Sequence, residues 1–327
     1  GEPEALEGFL GKLEKDAPPL ARIDGIDADE LAGAPPHDDL RIVESEAGAV
    51  STGVVPDAAT CPDCLAEILD PADRRHGYAF TNCTHCGPRL SIVRGIPYDR
   101  ANTSMAVFAM CEECAREYAD PSDRRFHAQP NACPVCGPKL WLEDRQGNVE
   151  CDDPIAAAAA RLKAGGIAAI KGIGGFHLAC DATDEDAVAE LRRRKRRDAK
   201  PFAVMARNVS DISRFATIAE SEQELLESAS APVVLLSNSG ERLASGIAPG
   251  LGRTGFMLPY SPLHHLLMAA IDGPLVMTSG NLSDEPQATD NDAARTRLAG
   301  IADAWLMHDR DIVNRLDDSV MRIDEPG

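Results

Sequence analysis

The sequence predicts an α/β protein in which a duplicated cysteine-rich module separates a short α+β segment from a twisted α/β sheet domain. Three observations carry this expectation. Four Cys-x-x-Cys pairs lie between Cys61 and Cys136. The stretch that holds them repeats itself with a period of 50 residues. From about residue 152 onward, short apolar runs alternate with helical patterns, as they do where helices cover a sheet.

At 327 residues the chain exceeds one ordinary core, so two or three domains are expected. A formal charge of −20 repels phosphate backbones except at a local basic patch, which argues against a nucleic-acid partner. No apolar run reaches the ~18 residues of a membrane span. The opening Gly1-Glu2-Pro3-Glu4 lacks the basic and apolar regions of a secretory leader. A soluble, cytoplasmic protein without a membrane partner is therefore expected. In that compartment ten cysteines serve more readily as metal ligands than as disulfides.

Residues 1–50 open with Leu6, Phe9, Leu10 and Leu13 at helical spacing, which predicts an amphipathic helix from Pro3 to Leu13. Leu40-Arg41-Ile42-Val43 reads as a strand. So few elements bury little apolar surface, so this segment is read as part of a domain.

Residues 51–100 and 101–150 are the two modules. Cys61-Pro-Asp-Cys64 aligns with Cys111-Glu-Glu-Cys114, and Asp70-Pro-Ala-Asp-Arg-Arg75 with Asp120-Pro-Ser-Asp-Arg-Arg125. Cys83-Thr-His-Cys86-Gly-Pro-Arg-Leu90 aligns with Cys133-Pro-Val-Cys136-Gly-Pro-Lys-Leu140. Zinc takes four soft ligands in a tetrahedron at roughly 2.3 Å, and a two-residue spacer lets one tight turn aim both sulfurs at one ion. Two structural zinc ions are therefore expected, held by Cys61, Cys64, Cys83, Cys86 and by Cys111, Cys114, Cys133, Cys136. Pairing within each module is the default, with interleaved pairing open. His85 and His127 have no counterparts in the other module, and Cys151 and Cys180 stand outside the pattern. Gly87 and Gly137 sit where such turns often need positive φ, followed by Pro88 and Pro138. Arg74-Arg75, Arg124-Arg125, Arg89 and Lys139 are placed to offset thiolate charge, with phosphate or RNA contact as the alternative.

Residues 151–327 begin with Asp153-Pro154, a cap and first-turn proline for an Ala-rich helix that Gly165-Gly166 stops. Thr183 with Asp186 resembles a capping box for a helix reaching Arg197. Strands are expected at 167–170, 202–205, 233–236 and 275–277, and helices at 220–228, 262–271 and 291–298.

No G-x-x-x-x-G-K-[ST] loop or dinucleotide fingerprint is present. Lys171 leads instead into a glycine-rich turn, a cation beside close backbone N–H groups, although a plain strand exit reads the same way. Thr278-Ser279-Gly280-Asn281 follows a strand, where α/β sheets hold ligands. Lys195-Arg196-Arg197, Lys200, His308-Asp309-Arg310 and Asn314 to Ser319 are further polar clusters, for which a solvated helix face or surface ion pairs is the plain reading.

The cysteine duplication, followed by KGIGGFHLACD (171–181), KPFAVM (200–205), LPYSPLHHLL (258–267), TSGN (278–281) and RLDDSV (315–320), resembles the HypF family of carbamoyltransferases. That family acts in [NiFe]-hydrogenase maturation, and the resemblance covers essentially the whole chain. It implies that residues 151–327 form a YrdC-like nucleotide-binding domain and that residues 1–50 are the end of an acylphosphatase-like domain. The acylphosphatase signature VQGVGFR and the family's C-terminal transferase domain are not in this sequence, so a fragment is expected.

Carried over, the resemblance implies that carbamoyl phosphate and ATP with Mg²⁺ yield a carbamoyl-adenylate. The group then passes to the C-terminal cysteine of the partner HypE and becomes a cyanide ligand of the metal centre. It assigns Lys171, Lys195, Arg197 and Lys200 to phosphate or carbamate binding, and Thr278, Ser279 and Asn281 to the nucleotide. His177, Arg310, Arg315 and Asp318 are further candidates lining the same cleft, with Asp317 and Asp318 near the Mg²⁺. The competing readings are an RNA-associated threonylcarbamoyl-adenylate synthase, an antibiotic O-carbamoyltransferase, and a scaffold whose zinc modules dock HypE.

Overall fold

The computed structural model describes residues 3–21, 23–29, 53–283 and 285–324. It divides the chain into two units, Gly1–Thr52 and Gly53–Gly327. In the first, helix α1 (Pro3–Lys15) forms where the apolar spacing predicts it, with Leu6, Phe9 and Leu13 exposed. The strand expected at Leu40 to Val43 lies outside the described residues.

The second unit opens with the repeats, each contributing one short helix, α2 (Pro62–Leu69) and α3 (Glu112–Ala119). There follow β1 (Leu140–Asp144), β2 (Gly147–Asn148), α4 (Pro154–Lys163), β3 (Ala168–Lys171), β4 (Phe176–Asp181) and α5 (Glu185–Lys195). Next come β5 (Ala203–Met205), α6 (Val209–Ile212), β6 (Ala216–Thr217), α7 (Glu220–Leu226), β7 (Val233–Asn238) and β8 (Arg253–Met257). The chain finishes with α8 (Pro262–Ala269), β9 (Leu275–Ser279), α9 (Asn291–Arg297), β10 (Ala304–His308) and β11 (Val320–Met321).

Among the described residues all eleven strands join one sheet, in the order β11-β7-β8-β5-β9-β4-β3-β10-β1-β2, with β6 beside β7. β3 runs parallel to β10 and antiparallel to β4, which is antiparallel to β9. β5 is antiparallel to β9. The carboxyl ends of β3, β9 and β10 therefore meet the amino ends of β4 and β5 along one edge. Lys171, His308, Ser279, Phe176 and Ala203 mark that edge.

Side chains alternate across a strand, and the central strands are apolar on both faces. Phe176, Leu178 and Cys180 of β4 enter a core with Val188 and Leu191 of α5. Ile170, Ala179 and Leu306 face the other way, onto Leu162 of α4 and Leu263 and Leu267 of α8. That second core also takes Tyr78, Phe80, Ile92, Met105 and Ala132 from the repeats. The repeats are thus packed into the sheet domain. Backbone bonds from Ala59 to Ala229, from Thr60 to Tyr260 and from Val313 to Ser91 tie the two further.

Most expected elements form within one to three residues of their predicted ends. Two differences have physical reasons. The stretch after Lys171 is half strand, because Gly172–Gly175 closes a hairpin (Gly172 N–H to Gly175 C=O, 2.8 Å) that returns the chain as β4. The cap of α5 is Asp184, whose carboxylate accepts from Asp186 and Ala187 N–H at 2.9 and 3.1 Å. Thr183 turns away to Asp181 at 2.7 Å. Asp153 caps α4 as expected.

Replacing a helix cap with alanine costs about 1 kcal/mol. Asp184→Ala is therefore expected to lower the chemical-denaturation stability by about that amount, and Thr183→Ala by clearly less. Equal losses would return the cap to Thr183.

Candidate functional site

Each set of four cysteines gathers within its own repeat, with the Sγ atoms of a set all within 4.8 Å of one another. Zn–S bonds of about 2.3 Å place tetrahedral sulfurs about 3.8 Å apart. The separations are 3.6 Å for Cys61–Cys83, 3.9 Å for Cys83–Cys86, 3.7 Å for Cys111–Cys133 and Cys133–Cys136, and 3.6 Å for Cys114–Cys136. Both sets fit structural zinc, paired within modules and not interleaved. Four thiolates fill a tetrahedron and leave no open position for substrate.

Local structure explains the spacing. Cys61 and Cys111 sit just before α2 and α3, so Cys64 and Cys114 fall in the first turn and point inward. Gly87 takes φ +92°, as its place predicts. Gly137 does not take positive φ; it is glycine because a Cβ there would fall 2.5 Å from Ala132 Cβ and onto the Tyr78 hydroxyl. His85 lies outside the cluster and gives its backbone N–H to Cys83 Sγ at 3.3 Å. His127 stacks on Tyr118.

The duplicated Asp-Pro-x-Asp-Arg-Arg loops have a structural purpose. Asp70 and Asp73 accept backbone N–H groups two residues on, at 2.9 and 2.7 Å, and Asp120 and Asp123 do the same at 2.9 and 2.8 Å. These tight turns aim each arginine pair at the opposite repeat. Arg74 reaches Cys114 Sγ at 3.3 Å and Glu117 at 2.7 Å, while Arg75 donates to Glu117 at 2.6 Å and Ala132 C=O at 3.0 Å. In return Arg124 reaches Cys64 Sγ at 3.0 Å and pairs with Glu67, which also binds Arg125. Burial pushes the Glu117 carboxyl up, but Arg75 and Arg74 hold it down at about 2. The basic residues offset thiolate charge as expected, but across the repeats. With all four arginines engaged in protein contacts, the phosphate or RNA alternative loses its basis. Arg89 and Lys139 instead bind carbonyls of their own second knuckles.

At the sheet edge, a cavity of about 640 Å³ gathers Arg197, Lys200, Thr278, Ser279, Asn281, Arg315, Asp317 and Asp318. Its floor is Val233, Leu235, Gly255 and Met277. Arg196 ends α5 in the left-handed conformation (φ +54°), which swings Arg197 back over the Phe202 ring, 5.0 Å from its centroid. Arg197 also donates to Thr278 Oγ1 at 3.3 Å. Lys195 lies beneath the cavity, fully buried. Its ammonium donates to Ser279 C=O, Asn281 C=O and Asn281 Oδ1 at 2.6, 2.6 and 2.5 Å, which clamps the Thr-Ser-Gly-Asn turn. Burial, with Arg197 and Lys200 nearby, lowers it to about 7. Three oxygen acceptors nevertheless use all three hydrogens of the charged form.

The remaining candidates are distributed over two neighbouring cavities. Asp317 and Asp318 also line one of about 260 Å³, together with His177, Tyr260 and Asp57. His177 Nε2 meets Asp318 Oδ2 at 3.1 Å. Burial pushes the Asp318 carboxyl up, and His177 beside it brings it below the usual range. Nothing in the sequence spacing singles out Tyr260 or His264, whose rings pack edge to face at 4.5 Å; burial lowers His264 to about 3. Lys171 and Arg310 line a third, much smaller cavity with His308. The expected single cleft is thus three adjoining spaces.

Groups that bond metal ligands typically change metal affinity by about 10–100-fold when removed. Arg124→Ala is therefore expected to speed zinc loss from the first cluster, not from the second cluster of its own repeat. Mass-spectrometric mapping of cysteine alkylation during chelation reads this directly. Earlier labelling of Cys111 and Cys133 than of Cys61 and Cys83 would overturn the exchange.

The family model described as telomere recombination (Sua5/YciO/YrdC) matches residues 160–327, and the HypF finger model matches residues 60–93 and 110–143. Carbamoyltransferase HypF of Rhodobacter capsulatus is 56% identical over 322 residues, which cover 98% of this chain and 43% of that protein. The crystal structure of full-length HypF in a phosphate- and nucleotide-bound form superposes with a TM-score of 0.94 at 52% identity, over 98% of this chain and 42% of its own. Human threonylcarbamoyl-AMP synthase is 31% identical over 134 residues, 41% of this chain and 48% of its own. The chain thus spans less than half the length of the carbamoyltransferases it matches. With the Sua5/YciO/YrdC model covering half of its length and a HypF finger on each cysteine repeat, the chain belongs to the Sua5/YciO/YrdC family and, within it, to the finger-bearing HypF type.

Proposed function

We propose that this chain activates a carbamate with ATP, forming carbamoyl-adenylate as one stage of a HypF-type carbamoyltransferase. The observation that carries this reading is the gathering of Arg197, Lys200 and Arg315 with Thr278, Ser279 and Asn281 around one cavity at the strand ends. That set suits a polyphosphate: cations for its charge, hydroxyl and amide groups for its oxygens. The likeness to nucleotide-bound HypF supports the same ligand.

In the reaction a carbamate oxygen attacks the α-phosphorus of ATP. A new O–P bond forms, the bond to the bridging oxygen breaks, and pyrophosphate leaves with the electron pair. Arg197, Lys200 and Arg315 would stabilise the charge that develops on the phosphoryl oxygens. Lys195 acts as a positioning residue by fixing the turn that carries Ser279 and Asn281. Asp317 and Asp318 would sit near the Mg²⁺ that accompanies ATP. The family resemblance adds carbamoyl phosphate as the carbamate source, the HypE C-terminal cysteine as acceptor, and a cytoplasmic setting. A second reading, threonylcarbamoyl-adenylate synthesis, draws on the more distant human relative.

ATP–pyrophosphate exchange tests both readings. Exchange that depends on ammonium carbamate, and falls at least about 10-fold in Lys200→Ala and Asn281→Ala, is expected. Exchange that needs threonine with bicarbonate would favour the second reading. Failure to bind ATP would overturn both.

A further inference from the structure

The last stretch of the chain meets both repeats in turn, at equivalent places. β10 pairs with β1, where Leu140 stands opposite His308. Leu140 is the second-repeat counterpart of Leu90, 50 residues earlier. Past β10 the chain reaches that counterpart. Val313 and Asn314 give their backbone N–H groups to Ser91 C=O at 2.8 and 3.1 Å. The Asn314 side-chain amide donates to Leu90 C=O at 2.7 Å and to Val93 C=O at 3.0 Å. The turn that offers these carbonyls is itself fixed by Asp57, whose Oδ1 accepts from Arg89 and Ser91 N–H at 2.6 and 3.1 Å.

Residues 311–319 belong to no helix or strand, so this strap depends on such attachments. Beyond Asn314, Leu316 N–H meets Gly174 C=O at 3.1 Å, and Ser319 C=O accepts from Val233 N–H at 2.8 Å. Before it, the ion pair of Arg94 with Asp311 is exposed, and exposed pairs contribute little. A primary amide has two donor hydrogens, and Asn314 uses both on the first finger. The residues that follow it include Arg315, Asp317 and Asp318, which line the large cavity at the sheet edge.

We propose that Asn314 is a positioning residue, which sets Arg315, Asp317 and Asp318 around the nucleotide by fastening the strap to the first finger. What the strap serves rests on the reading above; how it is held does not. The duplication thereby gains an asymmetric use. In the second repeat the segment from Leu140 enters the sheet as β1, whereas Leu90–Ile92 forms a 3₁₀ turn that holds the strap. Misplacing a reacting group by about 1 Å can cost roughly 100-fold in rate, so two hydrogen bonds on a finger matter to the chemistry.

The test compares the zinc-loaded protein with Asn314→Ala and with Asn314→Asp, which keeps the shape but loses both donors. Hydrogen–deuterium exchange read by mass spectrometry should show protection lost over residues 315–319 and kept over β4. Protection over 315–319 that both variants retain would overturn the attachment. In ATP–pyrophosphate exchange with ammonium carbamate, Asn314→Ala should be at least about 10-fold slower. Added to Arg315→Ala, it should cost about three-fold or less, because residues that act through one another are not additive. Equal losses in both backgrounds would overturn the positioning role. A parent that neither binds ATP nor catalyses exchange would overturn the nucleotide reading alone, and hydrogen exchange would still decide the attachment.

Discussion

Neutralising two thiolate clusters is the constraint on which the rest of this structure depends. A zinc ion with four thiolates carries a net charge of about −2, and such a charge beside a core needs partners. The repeats meet this need by exchange: Arg74 and Arg75 serve the second cluster, and Arg124 serves the first. Neither repeat is complete without the other, so the pair forms a single block. That block places Tyr78, Phe80, Ile92 and Met105 against α4, α8 and the sheet. The fingers are therefore part of the core.

The sheet order does the rest of the positioning. Among the central strands β10 is parallel to β3, while the β3–β4, β4–β9 and β9–β5 pairs are antiparallel, so that three carboxyl ends and two amino ends share one edge. Ligands of α/β sheets collect outside such strand ends, and here that edge carries the cations and the hydroxyl and amide groups of all three cavities. Gly280 has no side chain because a Cβ would lie 2.6 Å from the Phe176 carbonyl oxygen, so the turn packs tightly onto β4. Lys195 then fixes the turn from below.

The buried charges along that edge are handled in distinct ways. Lys195 has three oxygen acceptors, and His177 has Asp318. Lys171 and Arg310 have a carbonyl and an aromatic face instead. Desolvation penalises the charged form, and at Lys171 burial, then Arg310, lowers the ammonium to about 8.

Several features were legible because they depend on local spacing. The cysteine pairs, the 50-residue repeat, the Asp153-Pro154 cap and the apolar strands follow from turn geometry and periodicity. Thr278, Ser279, Asn281 and Arg197 were brought together by the family resemblance rather than by spacing, and in the structure they line one cavity. Other features depend on contacts between distant residues, which no spacing records. The repeat showed that Arg74 and Arg124 were equivalent, but only packing decided that each serves the other's cluster. The family resemblance grouped Lys171, Lys195 and His177 into one cleft; the strand register and the C-terminal segment through Asp317 and Asp318 sorted them into separate environments. The α/β class and the four cysteine pairs thus belong to the sequence alone, since a short turn can set a ligand pair, while which pairs share one ion was decided by the fold. The partners of the buried charges belong to the tertiary structure, since burial and neighbours exist only once the chain has folded.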